Sequence, residues 1–124
     1  MDNAIGLKVK IDYFDHNEDF RKILPRTGKI SRRLTGKNGA TDWFLVVLDI
    51  PFEYQIKVGE TLQFRSLHCK EILIRSRWEG CEIKGAKETS VFILLIPPEI
   101  LIKDGPVDTD ALYHVAWGVC SVVI

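Results

Sequence analysis

GKISRRLTGKNGATDWFLVVLDI, residues 28–50, is the stretch on which the fold turns. Residues 28–35 alternate as a strand does, with Lys29, Ser31 and Arg33 on one face and Ile30, Arg32 and Leu34 on the other. Arg32 is thus a charge set among apolar neighbours, a device by which edge strands avoid pairing with other chains. Gly36-Lys37-Asn38-Gly39 follows, and its Asn-Gly pair is the strongest short-range signal for a hairpin. The returning strand, residues 42–50, is apolar on both faces, which predicts a central strand covered on each side.

The same period of two extends in both directions. Leu7, Val9, Ile11 and Tyr13 oppose Lys8, Lys10 and Asp12, the pattern of a strand with one wet face. Pro51 interrupts the strand that ends at Ile50, and Phe52, Tyr54 and Ile56 resume the alternation as far as Gly59. Residues 61–69 and 71–78 read as two further strands, the second with Ile72, Ile74 and Trp78 on one face. A polar loop spans residues 79–88. Residues 89–96 form a second strand that is apolar on both sides, ended by Pro97-Pro98, and residues 103–106 form a turn. The tail, residues 111–124, is rich in Val, Tyr and Trp and reads as a strand, with Gly118 marking a bulge or bend. Asp108 would also suit the cap of a helix over 108–117. The clearest helical pattern is Asp15–Leu24, capped by Asp15 or Asn17, striped by Phe20, Ile23 and Leu24, and stopped by Pro25. These elements predict an all-β fold with at most one or two short helices. Its form is a small β-barrel or compact β-sandwich of about seven to eight mostly antiparallel strands.

A chain of 124 residues without linker or repeat is expected to form one domain, residues 1–124, burying roughly two-thirds of its unfolded surface. Its apolar share of 46% and charged share of 27% are those of an ordinary globular protein. Three cysteines, Cys69, Cys81 and Cys120, make an odd set with no short spacing, which predicts reduced thiols and a cytoplasmic setting. No secretory signal is visible at the N-terminus, and the longest apolar run, residues 91–98, falls short of a membrane helix.

Enzyme signatures are missing. No Cys-x-x-Cys or His-x-x-x-His pair supplies metal ligands, and His68 and Cys69, as strand neighbours, point to opposite faces. Gly118-Val119-Cys120-Ser121 lacks the second glycine of a nucleophile elbow, and the glycines at 36 and 39 are wrongly spaced for a phosphate loop. No cofactor is therefore expected. A small-molecule-binding or hydrolytic barrel would have to bring together at least two of His68, His114, Cys120 and Asp49. Asp49 itself, following Leu45–Leu48, suits a partly buried structural carboxylate. Trp43, Trp78 and Trp117 suit core or barrel-end positions.

Charge is the one pointer to a partner. The net charge is zero, yet residues 21–41 carry seven basic side chains and no acidic one, while residues 1–20 sum to −3 and residues 88–124 to −4. A local positive field attracts acidic protein surfaces or polyanions. The expected function is a non-enzymatic protein–protein interaction module, with Arg26, Lys29, Arg32, Arg33 and Lys37 meeting an acidic protein partner. RNA or DNA binding through the same patch is the alternative, with Arg65, Lys70, Arg75 and Arg77 as extensions. The acidic ends folding onto the block would reduce it to surface ion pairs. No membrane partner is expected. The apolar residues 119–124, if they end an edge strand, need cover from the chain itself or from a second copy.

Overall fold

The computed structural model describes residues 5–13, 25–37, 39, 42–58, 63–76, 83, 88–96, 106–109 and 113–123. Six strands, β1 (Lys8–Tyr13), β2 (Arg26–Leu34), β3 (Trp43–Val58), β4 (Gln63–Ser76), β5 (Thr89–Leu95) and β6 (Tyr113–Val122), close into a barrel. Each strand pairs antiparallel with its neighbours in sequence, and β6 closes the ring onto β1. The helix expected over Asp15–Leu24, and Cys81, Trp78 and His16, lie outside the described residues.

The strand count is lower than the pattern suggests because two expected breaks are not breaks. β3 runs through Pro51, where four residues, 48–51, face the single residue Lys70 of β4. A proline lacks an N–H to give to a ladder, so a bulge is where a strand tolerates one. β4 likewise joins residues 63–69 to 71–76 as one strand. β2 pairs with residues 43–48 of β3 and β5 with residues 72–76 of β4. Beyond that level residues 52–58 and 63–69 of the two long strands pair with each other.

The interior is an apolar plug. Val9, Ile11, Ile30, Val46, Ile74, Val91, Ile93, Leu95, Cys69 and Cys120 are essentially without solvent contact, and Phe44, Leu48, Phe52 and Ile72 join them. A second, outer cluster of Leu34, Trp43, Leu45, Leu73, Leu94, Ile96 and Val107 covers part of the wall from outside. Val107 is tied there by backbone bonds, its N–H to Thr35 O (2.7 Å) and its carbonyl to Lys37 N (2.9 Å). This is why 43–46 and 91–96 are apolar on both faces.

Two local readings are corrected. Ile30 pairs with Val46 but Arg32 with Leu45, so Ser31 is an extra residue that reverses the parity of β2. Arg32 therefore shares a face with Leu34 but not with Ile30, and Arg33 does not share the face of Lys29. β2 lies between β1 and β3, but β1 pairs with its residues 26–29, and among the described residues Arg32 has a strand partner in β3 alone. Gly118, in turn, pairs regularly with Tyr13 and Val91, and the register of β6 shifts instead between Ala116 and His114. A Cβ at Gly118 would stand 2.4 Å from Asp12 O and 2.7 Å from Ile93 Cδ1, so close approach of β1 explains the glycine. The tail is covered within the chain: β6 has β1 on one side and β5 on the other.

Candidate functional site

The five cations of the basic block do not form one cluster. The Arg26 guanidinium stands 5.1 Å from the centre of the Phe52 ring and donates from Nη1 to Ile50 O at 3.4 Å. Arg33 stands 5.5 Å from the Phe44 ring. Both rings belong to the barrel plug, so these two arginines, near opposite ends of β2, lid the interior through cation–π contact. Arg32 is half-buried beside Leu45 on the outer wall. Lys37 lies past the end of β2, 3.8 Å from Asp108, so one acidic residue of the C-terminal third does meet the block.

Lys29 alone of the five stands exposed on the outer wall between β1 and β3. The pairing of β1 with β2 sets Lys8 directly beside Lys29, and Lys10 beside Thr27. On the other flank Val47 pairs with Lys29. The face therefore carries Lys8, Lys10 and Lys29, together with the acidic residues Asp12 on β1, Asp49 on β3 and Glu71, the partner of Val47 on β4. Asp49 is an outer-surface residue rather than a partly buried one. Its Oδ2 accepts from Thr27 Oγ1 at 2.7 Å and meets Lys8 Nζ at 3.2 Å. The Thr27 hydrogen bond, reinforced by Lys8, holds its carboxyl below the usual aspartate range.

Apolar side chains surround this basic patch. The exposed large hydrophobic residues among those described are Ile5, Val47, Ile50 and Val123. Val47 pairs with Lys29, Val123 N bonds Lys8 O at 2.8 Å, and Ile50 follows Asp49. Ile5 reaches the patch because Gly6 N bonds Ile30 O (2.8 Å) and Ile30 N bonds Leu7 O (2.9 Å), which lashes this stretch to β2. Gly6 takes a positive φ of 91°, a conformation glycine adopts without strain. A shallow cleft of about 480 Å³ opens between Ile5 and Val47, with Lys29 and Asp49 in its lining.

The other candidate groups lie apart. Arg75 sits elsewhere on the wall, donating from Nε to Asp42 Oδ1 at 2.7 Å with its guanidinium 6.0 Å from the Trp43 ring. Lys70 is exposed opposite the β3 bulge, and Arg77 lies outside the described residues. His68 is exposed beside Glu53. Cys120 is sealed in the barrel, where burial pushes its thiol up to about 12. Cys69, whose Sγ donates to Glu71 O at 3.2 Å, is pushed up to about 11 by the same cause. His68, Cys120 and Asp49 thus occupy three different places, and the side chain of His114 lies outside the described residues. No group of three His, Cys, Asp or Glu side chains fit to hold a metal occurs among the described residues. No described helix is long and apolar enough to cross a membrane.

Lys8 and Lys10 were not visible as site residues in the sequence. Their place on a wet face was legible, but their place next to Lys29 required knowing that β1 pairs with β2. Comparison with protein-family models, curated proteins and solved structures finds no match to this chain.

Proposed function

We propose that this barrel is a non-enzymatic binding module whose partner is an acidic protein surface, met by the outer face of β1, β2 and β3. The observation that carries this reading is the convergence of Lys8, Lys10 and Lys29 with exposed aliphatic residues on one wall. Lysines steer and orient an acidic partner, while the aliphatic residues add area that leaves water on contact. That mixture suits a protein better than a nucleic acid. Phosphates need only the cations, and single-stranded bases need an exposed aromatic platform. Phe44 and Phe52 are instead buried under Arg33 and Arg26. Within the block predicted from sequence, Lys29 is the contact group; Arg26 and Arg33 hold the barrel ends, and Arg32 and Lys37 flank the face.

The test is a titration of the purified protein with a labelled oligoglutamate peptide and with labelled oligouridine and duplex DNA. It is run at low and near-physiological salt, with a Lys8→Glu/Lys29→Glu variant alongside. Binding of the acidic peptide that the variant loses supports the reading. Tighter binding of the nucleic acids, with a steep salt slope that flattens in the variant, replaces it with a phosphate-binding barrel.

A further inference from the structure

The lysine face is not uniformly polar, and its cleft has a chemistry of its own. Its exposed lining is Ile5, Gly6, Lys29, Ser31, Val47 and Asp49, and the wall behind them is completed by residues 30 and 48, whose side chains belong to the barrel interior. An aliphatic gap thus lies beside a single cation. The carboxylate of Asp49, which would repel an acidic ligand, is already engaged by Thr27 and Lys8. Lys29 makes no ion pair among the described residues.

From this arrangement we infer that the cleft receives an extended acidic peptide segment through one aliphatic side chain. That side chain seats between Ile5 and Val47 while a neighbouring carboxylate pairs with Lys29. This rests on the proposed acidic-partner reading and specifies what the partner presents.

One alternative fits the cleft less well. A strand added to a sheet edge, a common way to bind an extended peptide, is unavailable here. Around the cleft, residues 8–11 of β1, 28–30 of β2 and 44–47 of β3 have backbone partners on both sides. Recognition therefore runs through side chains lying across the wall, which makes it selective for what the peptide carries.

The experiment uses two capped peptides of equal charge. One has a single leucine flanked on both sides by aspartate and glutamate; the other has serine in place of the leucine. Affinities are measured by fluorescence anisotropy, and the site is mapped by amide shifts in a ¹⁵N–¹H spectrum. The leucine peptide should bind about tenfold more tightly, as expected for partial burial of one aliphatic side chain. Its shifts should centre on the amides of Gly6, Lys29, Ser31, Val47 and Asp49. Val47→Ser should remove the leucine advantage and leave the serine peptide unaffected, whereas Lys29→Glu should weaken both. Because Val47 is already exposed, its substitution leaves the fold intact, and Ile5→Ser provides a second variant with the same expectation. Equal affinity of the two peptides overturns the cleft inference but leaves the acidic-partner reading standing. An advantage that survives both variants, or shifts centred elsewhere, also overturns the cleft. Failure of both peptides to bind overturns the two together.

Discussion

Cys120 and Cys69 have no solvent contact, and for a thiol that decides the protonation state. Burial disfavours the thiolate, so the folded protein holds these protons above the ordinary cysteine value of 9.0, to about 12 and about 11. Both therefore stay protonated thiols at neutral pH. The sign of the linkage follows: both contribute full stability below about pH 9, where the unfolded thiols keep their protons too. Above it the unfolded chain ionises first, and stability falls by about 1.4 kcal/mol per pH unit for each thiol. Urea denaturation across the alkaline range should show this loss, and Cys120→Ala should make it shallower by one thiol's share. Parallel profiles would mean that Cys120 reaches water in the folded state. The two arginines that lid the plug show a second residue-scale effect. Each has its guanidinium spread over a phenylalanine, so replacing either removes packing as well as charge.

Period-two alternation was enough to identify most strands, because each face of each strand meets either packed side chains or water. It marked residues 42–50 and 89–96 as covered on both faces, which holds at 43–46 and 91–96, whereas Val47 and Ile50 stand exposed. What alternation does not encode is an extra residue. Ser31 in β2, residues 48–51 in β3 and the shift near Val115 in β6 each change the relation between position and face. The sequence around them stays polar or mixed, so nothing in its hydropathy marks the step. That is why Arg33 read as a companion of Lys29, and why two long strands read as four. The Ser31 bulge makes a sharp prediction. Deleting Ser31 leaves Ile30 inside, Arg32 outside, Arg33 inside and Leu34 outside, the regular alternation of an unbulged strand. The variant should fold and lose no more than about 2 kcal/mol, judged from ordinary single-site effects. Deleting Ile30 removes a fully buried side chain and shifts Ser31 into its place, so its urea melt should show little or no cooperative transition. Equal behaviour of the two deletions would show that the bulge does not set the register.

At the scale of the whole barrel, the candidate face is a product of closure. Lys8 and Lys10 come from the first strand, Lys29 from the second and Val47 from the third, while Val123 follows the last. A sequence holds the charge of each residue but not the ring that sets them side by side. The same ring divides the contacts unevenly along the chain. Five of its seams join consecutive strands; the sixth joins residue 9 to residue 122 and passes the bare backbone of Gly118 against Asp12. Gathering ends that far apart costs about 4 kcal/mol of chain entropy, roughly 2 kcal/mol more than closing one of the hairpins. The expected order of assembly is therefore hairpins first, with the β1–β6 seam formed after the folding barrier has been crossed. Gly118→Ala, which forces β1 away from β6, should therefore speed unfolding and leave the refolding arm of a chevron nearly unmoved. Val46→Ala, in the β2–β3 hairpin, should slow refolding instead. On this expectation the barrel opens along its β1–β6 seam, and Gly118 is the clasp.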